Sequence, residues 1–213
     1  RDALIQRQAL ELIAQKERDY VRPILLIQAQ DKNGEANIPA VKQFLTEESH
    51  IDESWIAIST GDTKELDNID LFSPGCPIRI VITVAALKEG WDCSFAYVLA
   101  SLQNIQSAID VEQLLGRVLR MPYAKLRQQN ELNKAYAHVI SDSTAKATDN
   151  LKDRMVENMG FNRWEAESAI VASPQHSLSL TETDTTPTKP IEPQVLISVP
   201  FKVEVEQLPV ELK

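Results

Sequence analysis

Ile78-Arg79-Ile80-Val81-Ile82-Thr83-Val84 is β-branched almost throughout, and β-branched side chains pack well on a pleated, half-buried surface. The stretch predicts a strand. Two apolar runs precede it, Pro23-Ile24-Leu25-Leu26-Ile27-Gln28 and Trp55-Ile56-Ala57-Ile58, and two follow, Ala96-Tyr97-Val98-Leu99-Ala100 and Tyr136-Ala137-His138-Val139-Ile140. Helical patterns separate them. Residues 38–48 read as a helix that starts near Asn37 and Pro39, and residues 108–120 as another. Residues 2–19 form a further helical pattern, with Leu4, Ile5, Ala9, Leu12 and Ile13 at helical spacing. Strands that are apolar on both faces, joined by connections long enough for crossover helices, indicate a parallel sheet covered on both sides. The fold class is therefore α/β, a three-layer domain over residues 20–142 preceded by an N-terminal helix over 1–19.

The remainder of the chain differs in character. Residues 62–77 are acidic and rich in turn formers. Within 143–172, residues 149–170 read as a helical extension with a break at Gly160-Phe161. Residues 173–193 hold three Ser, five Thr and four Pro, a composition that packs no core and reads as a mobile linker. Residues 194–213 turn apolar and β-branched again through Val195, Leu196, Ile197, Val199, Phe201, Val203 and Val205. They predict a β segment of a further module.

The chain of 213 residues carries 22 basic and 31 acidic side chains, a net charge of −9. That balance argues against a strong, delocalised grip on nucleic acid. The distribution is uneven: residues 43–72 hold eight acids and one Lys, whereas 113–128 hold Arg117, Arg120, Lys125 and Arg127 and no acid. No stretch approaches the roughly 18 uninterrupted apolar residues of a membrane helix. The start, Arg1-Asp2-Ala3-Leu4, has neither Met nor a signal-peptide pattern, and reads as the beginning of a piece of a longer protein. Cys76 and Cys93 are too few for a disulfide framework or a structural zinc site, which points to a reducing, cytoplasmic setting. His50, His138 and His176 lack metal spacing, so no metal site is expected.

The segment richest in chemistry is Asp110-Val111-Glu112-Gln113-Leu114-Leu115-Gly116-Arg117-Val118-Leu119-Arg120-Met121-Pro122. On a helix, Val111, Leu114, Leu115, Val118 and Leu119 share one face, and Gln113, Gly116, Arg117 and Arg120 gather on the other. A mid-helix glycine costs about 1 kcal/mol relative to alanine. At Gly116 it leaves room for a ligand or another backbone to approach. Paired guanidiniums on a rigid helix suit a phosphate chain, because they stay charged and offer several donors in a planar fork. The same pattern also describes an ordinary amphipathic helix whose arginines face water.

Gln113-x-x-Gly116-Arg117-x-x-Arg120 resembles motif VI of the superfamily 2 helicases and translocases. Upstream, Ile82-Thr83-Val84-Ala85-Ala86-Leu87-Lys88-Glu89-Gly90-Trp91-Asp92 resembles their motif V, an apolar strand running into Gly-x-Asp. The order and separation of the two match the family. The wording from Leu87 to Asp92 is most similar to the helicase subunit of type III restriction enzymes and its DEAD/DEAH-type relatives. The resemblance covers roughly residues 20–142. It implies a second RecA-like domain that closes on ATP bound mainly, with its Mg²⁺, by a first RecA-like domain. No G-x-x-x-x-G-K-[ST] loop and no Walker B carboxylates occur in the sequence, and Gly61-Asp62-Thr63-Lys64 lacks the spacing to substitute.

By that likeness Arg120 is the arginine finger and Arg117 a second phosphate or interdomain contact. Gln113 and Gly116 belong to the same cleft, Asp92 meets the ribose or links to motif VI, and Gly90 permits close backbone approach. An arginine finger is typically worth roughly 10³–10⁵ in rate. The family also holds a single strand of DNA or RNA by its phosphates at the strand ends. Gln28, Ser59, Thr60, Gly61 and Thr83 stand at the matching places, although short polar residues after strands are also ordinary turn formers. The implied function is the C-terminal motor domain of a nucleic-acid-dependent ATPase. Alternatives from other classes are a non-catalytic docking module with the same fold, another nucleotide-binding α/β protein, and a single-strand-binding protein.

Overall fold

The computed structural model describes residues 1–60, 65–66, 69–84, 93–104, 123, 125–140, 152–153, 155–157, 160, 162–171 and 194–200. The expected helix over 108–120 and the expected linker over 173–193 lie outside these residues. Among them the elements run α1 (Asp2–Ala14), β1 (Ile24–Gln28), α2 (Ile38–Gln43, continued by a π turn, Phe44–Glu48), β2 (Ile56–Ile58), β3 (Ile80–Thr83), β4 (Ala96–Asn104), β5 (Lys134–Ile140), α3 (Arg163–Ala169), β6 (Ile170–Val171) and β7 (Gln194–Pro200).

Five parallel strands in the order β2-β3-β1-β4-β5 form the body of the sheet, flanked by helices, and the domain is α/β. β1 lies at the centre, and all five of its residues are buried. Leu25 aligns with Ile80 of β3 and Val98 of β4, and Ile27 with Ile82 and Ala100. Because side chains alternate across a strand, Leu25, Ile27, Ala100 and Leu102 share one face. They meet Ala3 and Leu4 of α1 and Val41 and Leu45 of the α2 region there. On the other face Leu26, Val81 and Leu99 are just as deeply buried. Strands covered on both sides need apolar residues at every position, which is why β1 and β3 show no alternation.

Several boundaries differ from the sequence reading, each for a visible reason. The helical pattern over 2–19 ends at Ala14. There the amides of Lys16 and Glu17 turn back to the carbonyls of Ile13 and Ala14, tightening the last turn. Asp19 then leaves the helix line to pair with Lys125 at 3.2 Å and Arg127 at 3.0 Å. The inward face of α1 is Ala3, Leu4, Arg7, Leu10 and Ala14, while Ile5 and Leu12 are exposed. Arg7 takes an inward position because Glu11 neutralises it and the Trp55 ring lies under its guanidinium, 6.0 Å away. A buried charge of that kind shifts the apparent apolar stripe.

α2 starts as its sequence suggests: the Asn37 side chain accepts from the Ala40 amide at 3.1 Å, with Pro39 in the first turn. β4 runs past Ala100 to Asn104. The residues expected to open a separate module supply β7, which pairs antiparallel with β5 and with β6 and so extends the same sheet. Trp164, on α3, is 76% exposed.

Candidate functional site

In open parallel sheets, ligands bind outside the carboxyl ends of the strands where successive connections leave in opposite directions. The order β2-β3-β1-β4-β5 creates such points on both sides of β1. The chain leaves β1 toward β2, whereas it leaves β3 across β1 toward β4. Each of these strands loses its apolar character at that edge. β1 ends in Gln28 and is followed by Ala29-Gln30, β2 by Ser59-Thr60, β3 ends in Thr83, and β4 carries Ser101 and Gln103 near its end.

A closed set of amide and hydroxyl contacts ties three of these ends together. Ser101 Oγ donates to Gln28 Oε1 at 2.9 Å, and Gln28 Nε2 donates to Gln103 Oε1 at 3.3 Å. Gln103 Nε2 donates in turn to the carbonyls of Ala29 at 3.0 Å and Val84 at 2.8 Å. Gln30 extends the set, donating to Leu102 O at 2.9 Å and accepting from the Ala36 amide at 3.0 Å. Gly34 lets the following loop close over Gln30, since a Cβ at residue 34 would lie 2.5 Å from Gln30 Cβ. Removing one partner of a buried pair costs about 1–3 kcal/mol, so a complete set of this kind fixes the geometry of the edge.

The residues singled out from the sequence fall as follows. Gln28 and Thr83 face each other in register on β1 and β3 and are 8% and 3% exposed. The Gln28 amide is engaged by Ser101 and Gln103, so it braces the strand ends from within. Ser59 and Thr60 are half-buried at the end of β2, and the Ser59 amide donates to Ile82 O at 2.9 Å. The structure thus brings Gln28, Ser59, Thr60 and Thr83 to one edge of the sheet. Gly61, Gly90, Asp92, Gln113, Gly116, Arg117 and Arg120 lie outside the described residues.

Sequence reasoning passed over Ser101, Gln103 and Gln30. Their signal was the same as that of Gln28, a polar residue at a strand end, but β4 was expected to stop at Ala100. It also passed over Arg22, 2% exposed, at the opposite edge of the sheet. Its guanidinium donates to the carbonyls of Leu71, Ser73 and Cys76 and to Tyr20 Oη, closing the loop before β3 onto the start of β1.

Burial lowers His138 on β5 to about 4, partly opposed by Asp2. Burial raises the phenol of Tyr97, and raises that of Tyr136 to about 12. Among the described residues no cluster of His, Cys, Asp and Glu is arranged to hold a metal ion. No helix among them is long and apolar enough to cross a membrane. A groove of about 350 Å³ opens between α1, α2 and the sheet, lined mainly by apolar side chains, with the ion pair of Arg1 and Glu48 (3.3 Å) beside it. It lies on the face covered by α1 and α2, apart from the Gln28–Ser101–Gln103 contacts. No protein-family model matches the chain, and no curated protein matches it.

Proposed function

We propose that this chain is the second RecA-like domain of a superfamily 2 nucleic-acid-dependent ATPase, a helicase or translocase. One observation carries the reading. β3 and β4, the strands that run directly into the motif V-like segment and toward the motif VI-like segment, are parallel and separated only by β1. Strands lie about 4.8 Å apart, so the two segments leave the same edge of the sheet about 10 Å from each other. That proximity of the two strand exits is what supports assigning the two segments to one nucleotide site.

In this reading a first RecA-like domain elsewhere in the intact protein holds ATP and Mg²⁺. Closure brings Arg120 to the γ-phosphate, where its charge and planar fork offset the charge spreading over the transferring phosphoryl group. Arg117 contacts the phosphates or the facing domain, Gln113 and Gly116 line the cleft, and Asp92 with Gly90 meets the nucleotide from the motif V side. Ser59, Thr60, Gly61 and the ends of β1 and β3 face a single strand of DNA or RNA, held by its backbone. The engaged amide of Gln28 gives that residue a bracing part in that surface, Thr83 is buried beside it, and Ser59 and Thr60 are the more accessible pair. Hinge closure and reopening then shift the strand-end contacts along the polymer.

The test is Arg120→Ala in the intact protein. ATP turnover is expected to fall by roughly 10³-fold or more, with single-strand affinity largely kept. Near-normal turnover would remove Arg120 from the role and favour a docking module with the same fold.

A further inference from the structure

Gln103 uses its whole amide on the ends of two other strands. Both N–H groups of Nε2 are spent, on Val84 O at 2.8 Å and Ala29 O at 3.0 Å, and Oε1 accepts from Gln28 Nε2 at 3.3 Å. Ser101 Oγ fixes Gln28 Oε1 at 2.9 Å, which turns the Gln28 amide nitrogen toward Gln103. Val84 is the residue at which the chain has left β3 and enters 85–92. Asn104, next to Gln103, is the last residue of β4, before the chain enters 105–120. A single side chain therefore ties the exit of one strand to the exit of another, with the central strand between them.

We propose that Gln103 is a positioning residue that holds the exit of β3, at Val84, in fixed relation to the ends of β1 and β4. On the reading given under Proposed function, the chain beyond the β3 and β4 exits supplies this domain's two halves of the phosphate cleft. The role needs a primary amide of this length. Glutamate has no donor for the two carbonyls, asparagine is one methylene short, and an apolar side chain offers neither function. The positioning is mechanical and local: Asp92 and the arginines of 117 and 120 work on one nucleotide only if the chain leaves β3 and β4 at a constant separation.

Gln30 provides an internal comparison. It bonds the same edge through Leu102 O and the Ala36 amide, and neither contact involves β3. Loss of its amide perturbs the edge without releasing the β3 exit.

The experiment compares Gln103→Glu and Gln103→Met with Gln30→Glu. In the chain itself, hydrogen exchange is followed in peptides covering 84–95 and in peptides covering β1. In the intact protein, ATP turnover is measured under single-strand saturation. Both Gln103 variants are expected to speed exchange in 84–95 by ~10-fold or more, beyond any change in β1. They should lower kcat ~10-fold or more with KM for ATP within ~2-fold of wild type, because ATP is held mainly by the other domain. Gln30→Glu should leave exchange in 84–95 within ~2-fold of wild type. Unchanged exchange in 84–95, equal changes of that exchange in the Gln103 and Gln30 variants, or wild-type kcat in both Gln103 variants would overturn the positioning role. An intact wild-type protein without any ATP turnover would instead overturn the reading under Proposed function, and the exchange data alone would then decide whether the tether exists.

Discussion

His138 makes a prediction whose size follows from its surroundings. It sits on β5 opposite Ala100 of β4 and Leu196 of β7, and its Nε2 is buried with no hydrogen-bond partner among the described residues. Burial holds it at about 4 rather than 6.5, with Asp2 favouring the proton. A histidine depressed in this way is neutral in the folded protein while the unfolded chain takes up a proton. The unfolded state therefore binds more protons between pH 6.5 and pH 4, and stability falls as pH falls through that window. The loss is about 2 kcal/mol between pH 7 and pH 5, growing to about 3 kcal/mol by pH 4. The perturbation is His138→Leu, which removes the titrating group and keeps an apolar body against the sheet. Urea unfolding followed by tryptophan fluorescence at pH 7.5, 6 and 5 gives the stability of both proteins. The quantity read is their difference, which cancels the carboxylates they share. Wild type should lose ground to the variant by about 2 kcal/mol on going from pH 7.5 to pH 5. A difference constant to within about 0.5 kcal/mol across that range would mean that His138 is protonated as readily in the fold as out of it.

At the opposite edge from the candidate site, Arg22→Met keeps much of the side-chain volume but strips the donors from the carbonyls of Leu71, Ser73 and Cys76. Relief from burying a cation offsets part of the loss, leaving a net destabilisation of about 3 kcal/mol by urea unfolding; a change below about 1 kcal/mol would show that water replaces the guanidinium. In the intact protein, Arg120→Lys keeps the charge but not the planar fork, so ATP turnover should stay well below wild type; full activity with lysine would show that a point charge suffices.

The sheet was legible where burial is complete. β1 and β3 are apolar on both faces, and a parallel strand in the middle of a covered sheet has no reason to be otherwise. α2 was legible from its cap, since Asn37 and Pro39 act within a single turn. The face of α1 was not, because Arg7 occupies an inward position through Glu11 and Trp55, and Trp55 is distant in sequence. The end of β4 was misplaced because Ser101 and Gln103 look like turn residues until their partners on β1 and β3 are known, and those contacts span more than 70 residues for Gln28 and Ala29. β7 was assigned to a separate module because the polar stretch before it suggests a boundary, whereas pairing with β5 is a long-range choice with no local signal. For the site, residue types at strand ends were readable, but whether each points outward or braces the edge was not. Gln28 illustrates the difference, with both its amide atoms engaged inside the sheet edge.

The central claim is that this domain completes a triphosphate site that it does not build alone. The most direct measurement is ATP hydrolysis by the intact protein and by this 213-residue chain, each with and without single-stranded nucleic acid. Turnover by the intact protein that rises when the polymer is added, with none from the chain alone, is the expected result. Hydrolysis by the isolated chain at a comparable rate, or an intact protein whose turnover is absent or indifferent to the polymer, would contradict it.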